Sequence, residues 1–120
     1  MCEIADFEPK WPMPQTCAEV SDLARSLMVT KKRLSEVVGV SPSTLSRQLL
    51  SRQTKKRLQP LLDIFNRAIW MTKDEKRAAF WMNYGFPQGM ASASPLDWIA
   101  RGGAGKVRMA QEAQIVGGFA

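Results

Sequence analysis

Five times along the chain a residue suited to capping a helix stands just ahead of apolar residues at helical spacing: Thr16, Thr30, Ser41, Thr72 and Ser94. Such a residue accepts a hydrogen bond from a free backbone N–H of the first turn, and apolar side chains three and four residues apart share one helix face. No stretch alternates apolar and polar residues as a half-buried strand would. A chain written this way folds as an all-α protein, a small helical bundle. Its 120 residues suit one compact unit, because roughly 65% of the unfolded surface is buried at this size.

Each punctuation mark predicts an element. Thr16 and Glu19 fit a capping box opening a helix whose inner face is Val20, Leu23, Ala24 and Leu27. Thr30 opens a second, with Leu34, Val37 and Val38 inward, and Gly39 closes it. Ser41-Pro42 starts a third with Leu45 and Leu49 on its inner face. A longer helix is expected from about Lys55 to Met71, with Pro60 moving its start towards Gln59. Thr72 and Glu75 repeat the capping box for a helix through Met82, and residues 83–94 read as a loop. Ser94-Pro95 starts a short helix to Ala100, Gly102-Gly103 interrupts, and a last helix runs from about Gly105 to Val116. Three regions result: an extended arm over 1–15, rich in proline, with Trp11 placed to pin it; a region over 16–54; and a helical region over 55–120.

Charge is unevenly placed. The chain carries a net +6 with a pI near 9.8. Residues 31–60 hold Lys31, Lys32, Arg33, Arg47, Arg52, Lys55, Lys56 and Arg57 against Glu36 alone, whereas the first thirty residues are net acidic. Clustered cations point to a polyanionic partner. The chain has no histidine, which removes Ser-His and Cys-His catalysis and the His-containing zinc sites. Cys2 and Cys17 form no metal-binding spacing. No nucleophile elbow or paired-carboxylate motif is present, so the chain reads as a non-enzyme without cofactor or metal. Its acidic, proline-broken start is unlike a signal peptide, and its longest strictly apolar run, Ala78 to Met82, is far short of a membrane span. These features predict a cytoplasmic protein with no membrane partner.

The basic quarter coincides with a second pattern. Residues 31–50, KKRLSEVVGVSPSTLSRQLL, read as two short helices joined by a tight turn at Gly39-Val40, a helix-turn-helix. Leu34, Val38, Val40, Leu45 and Leu49 would lock the pair. Ser41 would cap the second helix, which then projects Ser43, Thr44, Arg47 and Gln48 into the major groove of double-stranded operator DNA. Arginine pairs bidentately with guanine and glutamine with adenine. Arg52, Lys55, Lys56 and Arg57 follow at once and suit phosphate contacts.

Residues 80–120 carry Trp81, then Ser94-Pro95-Leu96-Asp97-Trp98-Ile99, a last helix punctuated by Gly105 and Val107, and the end Gly117-Gly118-Phe119-Ala120. With the helix-turn-helix ahead of it, this stretch resembles the Xre/MbcA/ParS-type antitoxins, over residues 31–120. Where that family carries a Pro-Asn pair after its Trp, this chain reads NYGFPQG. The resemblance implies a cognate toxin enzyme of RES or ParT type that consumes NAD. It implies that Trp81, Gly117, Gly118, Phe119 and Ala120 serve toxin binding, with the C-terminal end covering the active site. It also implies a homodimer that represses its own operon. The residues suit such an end: paired glycines allow close backbone approach and Phe119 offers an apolar anchor. Leu96, Trp98, Ile99, Val107, Met109 and Val116 are expected in the core or a dimer interface. The alternative reading is a stand-alone helix-turn-helix regulator whose C-terminal half only dimerises.

Overall fold

The computed structural model describes residues 9–85 and 93–117, with side chains through residue 113. Residues 1–8, 86–92 and 118–120, which include Cys2, Gly118, Phe119 and Ala120, lie outside the described residues. Among the described residues the fold is all-α, with seven helices: α1 (Cys17–Ser26), α2 (Lys31–Val38), α3 (Pro42–Leu45), α4 (Arg52–Thr72), α5 (Glu75–Tyr84), α6 (Pro95–Ala100) and α7 (Ala104–Gly117). Among these residues no helix is long and apolar enough to cross a membrane.

Helix α4 is the central strut. Leu58, Leu61, Leu62, Ile64, Phe65 and Ala68 are its buried face, and α5 and α7 pack most extensively against it. Around this stripe lie Val20, Leu23 and Leu27 of the first helical segment, Leu34 of α2, Leu45 of α3, Met82 of α5, Leu96 of α6 and Val107 of α7, all buried in one core. Helix α2 sits directly on α6, so the two halves of the sequence share this core. The radius of gyration, 14.0 Å, is close to the roughly 13.6 Å of a compact chain of this length.

The caps form largely as expected. Thr16 accepts from the Glu19 amide at 3.3 Å, but the Glu19 carboxylate reaches one residue further back, to the Gln15 amide at 2.6 Å. Thr30 caps α2, and Gly39 closes it at φ +78. There the Val40 amide donates back to the Ser35 carbonyl at 3.1 Å, a wrap that needs the left-handed conformation glycine adopts without strain. Ser94 and Asp97 form the full capping box of α6, each side chain accepting from the other's backbone amide at 3.2 Å.

Three expectations are corrected. Helix α3 ends at Leu45 after one turn, and Leu49 is not on an inner face: it is 72% exposed. The chain turns extended so that Leu50 can enter the core. There the Leu50 amide donates to the Gln15 carbonyl at 3.0 Å, and Leu49 forms an isolated antiparallel bridge with Thr16. The local run of Ser and Thr side chains, which offer the backbone competing hydrogen bonds, makes that early exit cheap. Helix α4 begins at Arg52, capped by Ser51, and runs through Pro60 instead of starting beyond it. Pro60 lies on the exposed side, while buried residues before and after it hold the helix together. Third, α5 is capped by Asp74, not Thr72. Thr72 is still the last residue of α4 and donates to the Ala68 carbonyl at 2.8 Å. Met109, expected in the core or a dimer interface, is 69% exposed on the single chain and so is not in the core.

Trp11 pins the arm, as its position suggests. Its backbone amide donates to Asn66 Oδ1 at 2.8 Å, and its carbonyl accepts from Asn66 Nδ2 at 3.0 Å. The indole N–H donates to Glu75 at 3.2 Å. Glu75 also accepts from Ser26 and pairs with Lys10 at 3.0 Å. One half-buried carboxylate thus ties the arm, the end of α1 and the start of α5.

Candidate nucleic-acid interface

The turn between α2 and α3 is open to solvent on one side. Ser41 bonds hydroxyl to hydroxyl with Thr44 at 2.7 Å and with Ser43 at 3.1 Å, so the three polar groups form one patch at the start of α3. Arg47 and Gln48 lie beyond the end of that single turn, both exposed, and extend from a bend rather than from a helix face. From α4, Arg57 lays its guanidinium beside Gly39, with Nη1 3.5 Å from where a β-carbon at that position would sit. Ser41, Thr44, Arg47 and Arg57 therefore line one shallow depression of about 330 Å³ under the turn. Among the charged residues lining it, both are cations and none is acidic.

Four other cations of the basic quarter face elsewhere. Arg33 pairs with Asp97 at 2.6 Å, an ion pair joining α2 to α6. Burial opposes ionisation of Asp97. Hydrogen bonds from Arg33 and from the Ser94 amide and hydroxyl outweigh that penalty and hold the carboxyl below its ordinary range. Arg52, Lys55 and Lys56 line a different groove, closed by the arm at Met13 and by the start of α7 at Ala104, Gly105 and Arg108. With about 100° of rotation per residue, positions 52 and 57 of one helix are about 140° apart. The basic run is thus divided around α4 and does not present a single patch. Arg108 is a member of this groove that the sequence reading did not single out. No local pattern joins it to residues 52–56, since only the docking of α7 on α4 brings them together.

At the C-terminal end, Trp81 is half-buried and packs against the core. Leu96, Ile99 and Val107 are buried, and Trp98 is partly so, with Lys106 Nζ 5.1 Å from the centroid of its ring. Gly103 lies so close to that ring that a β-carbon would come within 2.7 Å of it, which explains a glycine there. Gln111, fully buried, donates to the Ile64 carbonyl at 2.9 Å and fastens α7 to α4. Gly117 ends α7. The toxin-binding expectations for Gly118, Phe119 and Ala120 fall outside the described residues. Comparison of the chain with family models, with curated proteins and with solved structures finds no match.

Proposed function

We propose that the chain is an antitoxin of the Xre/MbcA/ParS type: a cytoplasmic, non-enzymatic, DNA-binding repressor of its own operon that also neutralises an NAD-consuming toxin of RES or ParT type. The observation that carries the DNA-binding half is the depression shared by Ser41, Thr44, Arg47 and Arg57. Hydroxyls at the start of α3 suit phosphate oxygens, and two guanidiniums flank the place where a duplex edge would lie. Ser43 and Gln48 stand exposed at its margin. Because Arg47 and Gln48 lie past the end of a one-turn helix, they reach base edges by side-chain length more than by helix insertion. The neutralising half rests on the sequence resemblance, with Trp81 at the core surface and the end from Gly117 to Ala120 as the segment that covers the toxin's active site. A homodimer would present two such depressions to a two-fold operator.

Titration of a labelled duplex from the region upstream of the protein's own gene tests the carrying observation. Arg47→Ala should weaken binding by about 1–3 kcal/mol and relax sequence preference, as loss of a bidentate base contact does. Affinity and footprint unchanged by this substitution would count against the assignment.

A further inference from the structure

The groove between the arm, α4 and the start of α7 has a composition that the reading above does not use. It measures about 710 Å³, within the roughly 300–1,000 Å³ typical of small-ligand sites. Four cations, Arg52, Lys55, Lys56 and Arg108, line it against one carboxylate, Asp63, and that carboxylate already accepts from Gln59 at 2.8 Å. Like charges gathered in a concavity repel one another unless an anion enters. Arg108 carries the second observation: its Nε is shielded from solvent and has no hydrogen-bond partner. A guanidinium N–H left without a partner is costly, and a turn of the Arg108 side chain towards an acceptor held in the groove would satisfy it.

We propose that this groove is a binding site for an oligophosphate of nucleotide size. Several phosphate groups match four cations better than a single carboxylate does, and the guanidiniums of Arg52 and Arg108 offer forks that fit phosphate oxygens. The apolar part of the lining, Met13 with the aliphatic stems of the lysines, would lie against whatever the phosphates are attached to. A duplex is the less suitable occupant. Arg52 lies about 140° around α4 from Arg57, so the groove and the depression at the α2–α3 turn open in different directions. The site stands independently of the antitoxin reading.

Calorimetric titration of the full chain with inorganic tripolyphosphate and, separately, with ATP tests the proposal. One-to-one binding is expected, weakened about tenfold or more by Lys55→Gln with Lys56→Gln, and likewise by Arg108→Gln, as loss of charge-assisted hydrogen bonds implies. Arg47→Ala should leave it unchanged. Equal affinities for the two ligands would mean that the site reads phosphates alone. Tighter binding of ATP would mean that the nucleoside is held as well. No binding of either at millimolar concentration would overturn the proposal. So would an equal loss in Arg47→Ala, which would mark diffuse attraction to a basic protein. Displacement of tripolyphosphate by a short duplex, together with weaker duplex binding by the Lys55/Lys56 variant, would assign the groove to DNA and overturn it too. The lysine variant keeps the test valid if Arg108→Gln fails to fold.

Discussion

Glu75 shows how much a single side chain can organise here. Burial alone would raise its pKa. The hydrogen bonds from Ser26, Lys10 and Trp11, with the charge of Lys10 beside it, more than offset that and hold the carboxyl below its ordinary range. The folded state therefore favours the ionised form. The stabilisation is complete above the ordinary glutamate value, about pH 4.3, and is lost as pH falls through the lower folded-state value. Asp97, held down in the same sense by Arg33 and Ser94, adds to the same loss just below the ordinary aspartate value of about 3.9. Glu75→Gln should lower stability at neutral pH by about 1–2 kcal/mol and flatten the fall in thermal midpoint on acidification. A midpoint that tracks that of the unmodified chain across the acid range would show that the cluster contributes nothing. Gly39 is a second residue of this kind. A β-carbon there meets only Arg57, at ordinary contact distance, so the objection to alanine is its φ of +78. Gly39→Ala should cost about 1 kcal/mol in denaturant unfolding, with α2 losing its stop.

At the scale of elements, the caps were readable because they are local: a Thr or Ser, sometimes a proline, and an apolar stripe three residues on. The places where reading failed are those fixed by distant partners. Helix α3 stops early because Leu50 enters the core and its amide meets Gln15, a contact that no window around residue 45 contains. The cap of α5 moved to Asp74 because Lys73, at φ +62, ends α4, and because Glu75 is drawn to Ser26, Trp11 and Lys10. The start of α4 did carry a signal, in Ser51 followed by Thr54, whose amide Ser51 accepts at 3.2 Å. Pro60 outweighed it in the reading. Once α4 is phased from Arg52, the division of the basic residues follows from helical rotation alone. Pro60 breaks one helical hydrogen bond on the exposed side, and an interior proline costs up to about 3 kcal/mol relative to alanine. Pro60→Ala should therefore raise the denaturation midpoint; because Pro60 also lines the groove with Arg52, Lys56 and Arg108, a lower midpoint would mean that the proline ring has a packing role there.

At the scale of the molecule, the structure brings together two ends that the sequence keeps apart. Helix α2 packs on α6, and Arg33 of α2 is paired with Asp97 of α6. The face beneath the α2–α3 turn and the C-terminal helices are therefore parts of one core, and a partner seated on the C-terminal end presses on the same body that would hold DNA. The proposed duplex binding should weaken with salt, by about 0.9 in log affinity per log salt for each phosphate that the cations neutralise. The fold sorts the basic quarter in a way charge alone does not show: Arg33 is held in an ion pair with Asp97, and Arg52, Lys55 and Lys56 line a groove separate from the depression at Arg47 and Arg57.

The antitoxin reading meets its most direct test in a growth assay. The chain is co-expressed with the product of the reading frame adjacent to its own gene, expected to be a toxin of RES or ParT type, and compared with a chain lacking Gly117 to Ala120 whose thermal midpoint shows that it still folds. The full chain should restore growth and the shortened one should not. Full rescue by the shortened chain, or no rescue by the complete one, would contradict the account.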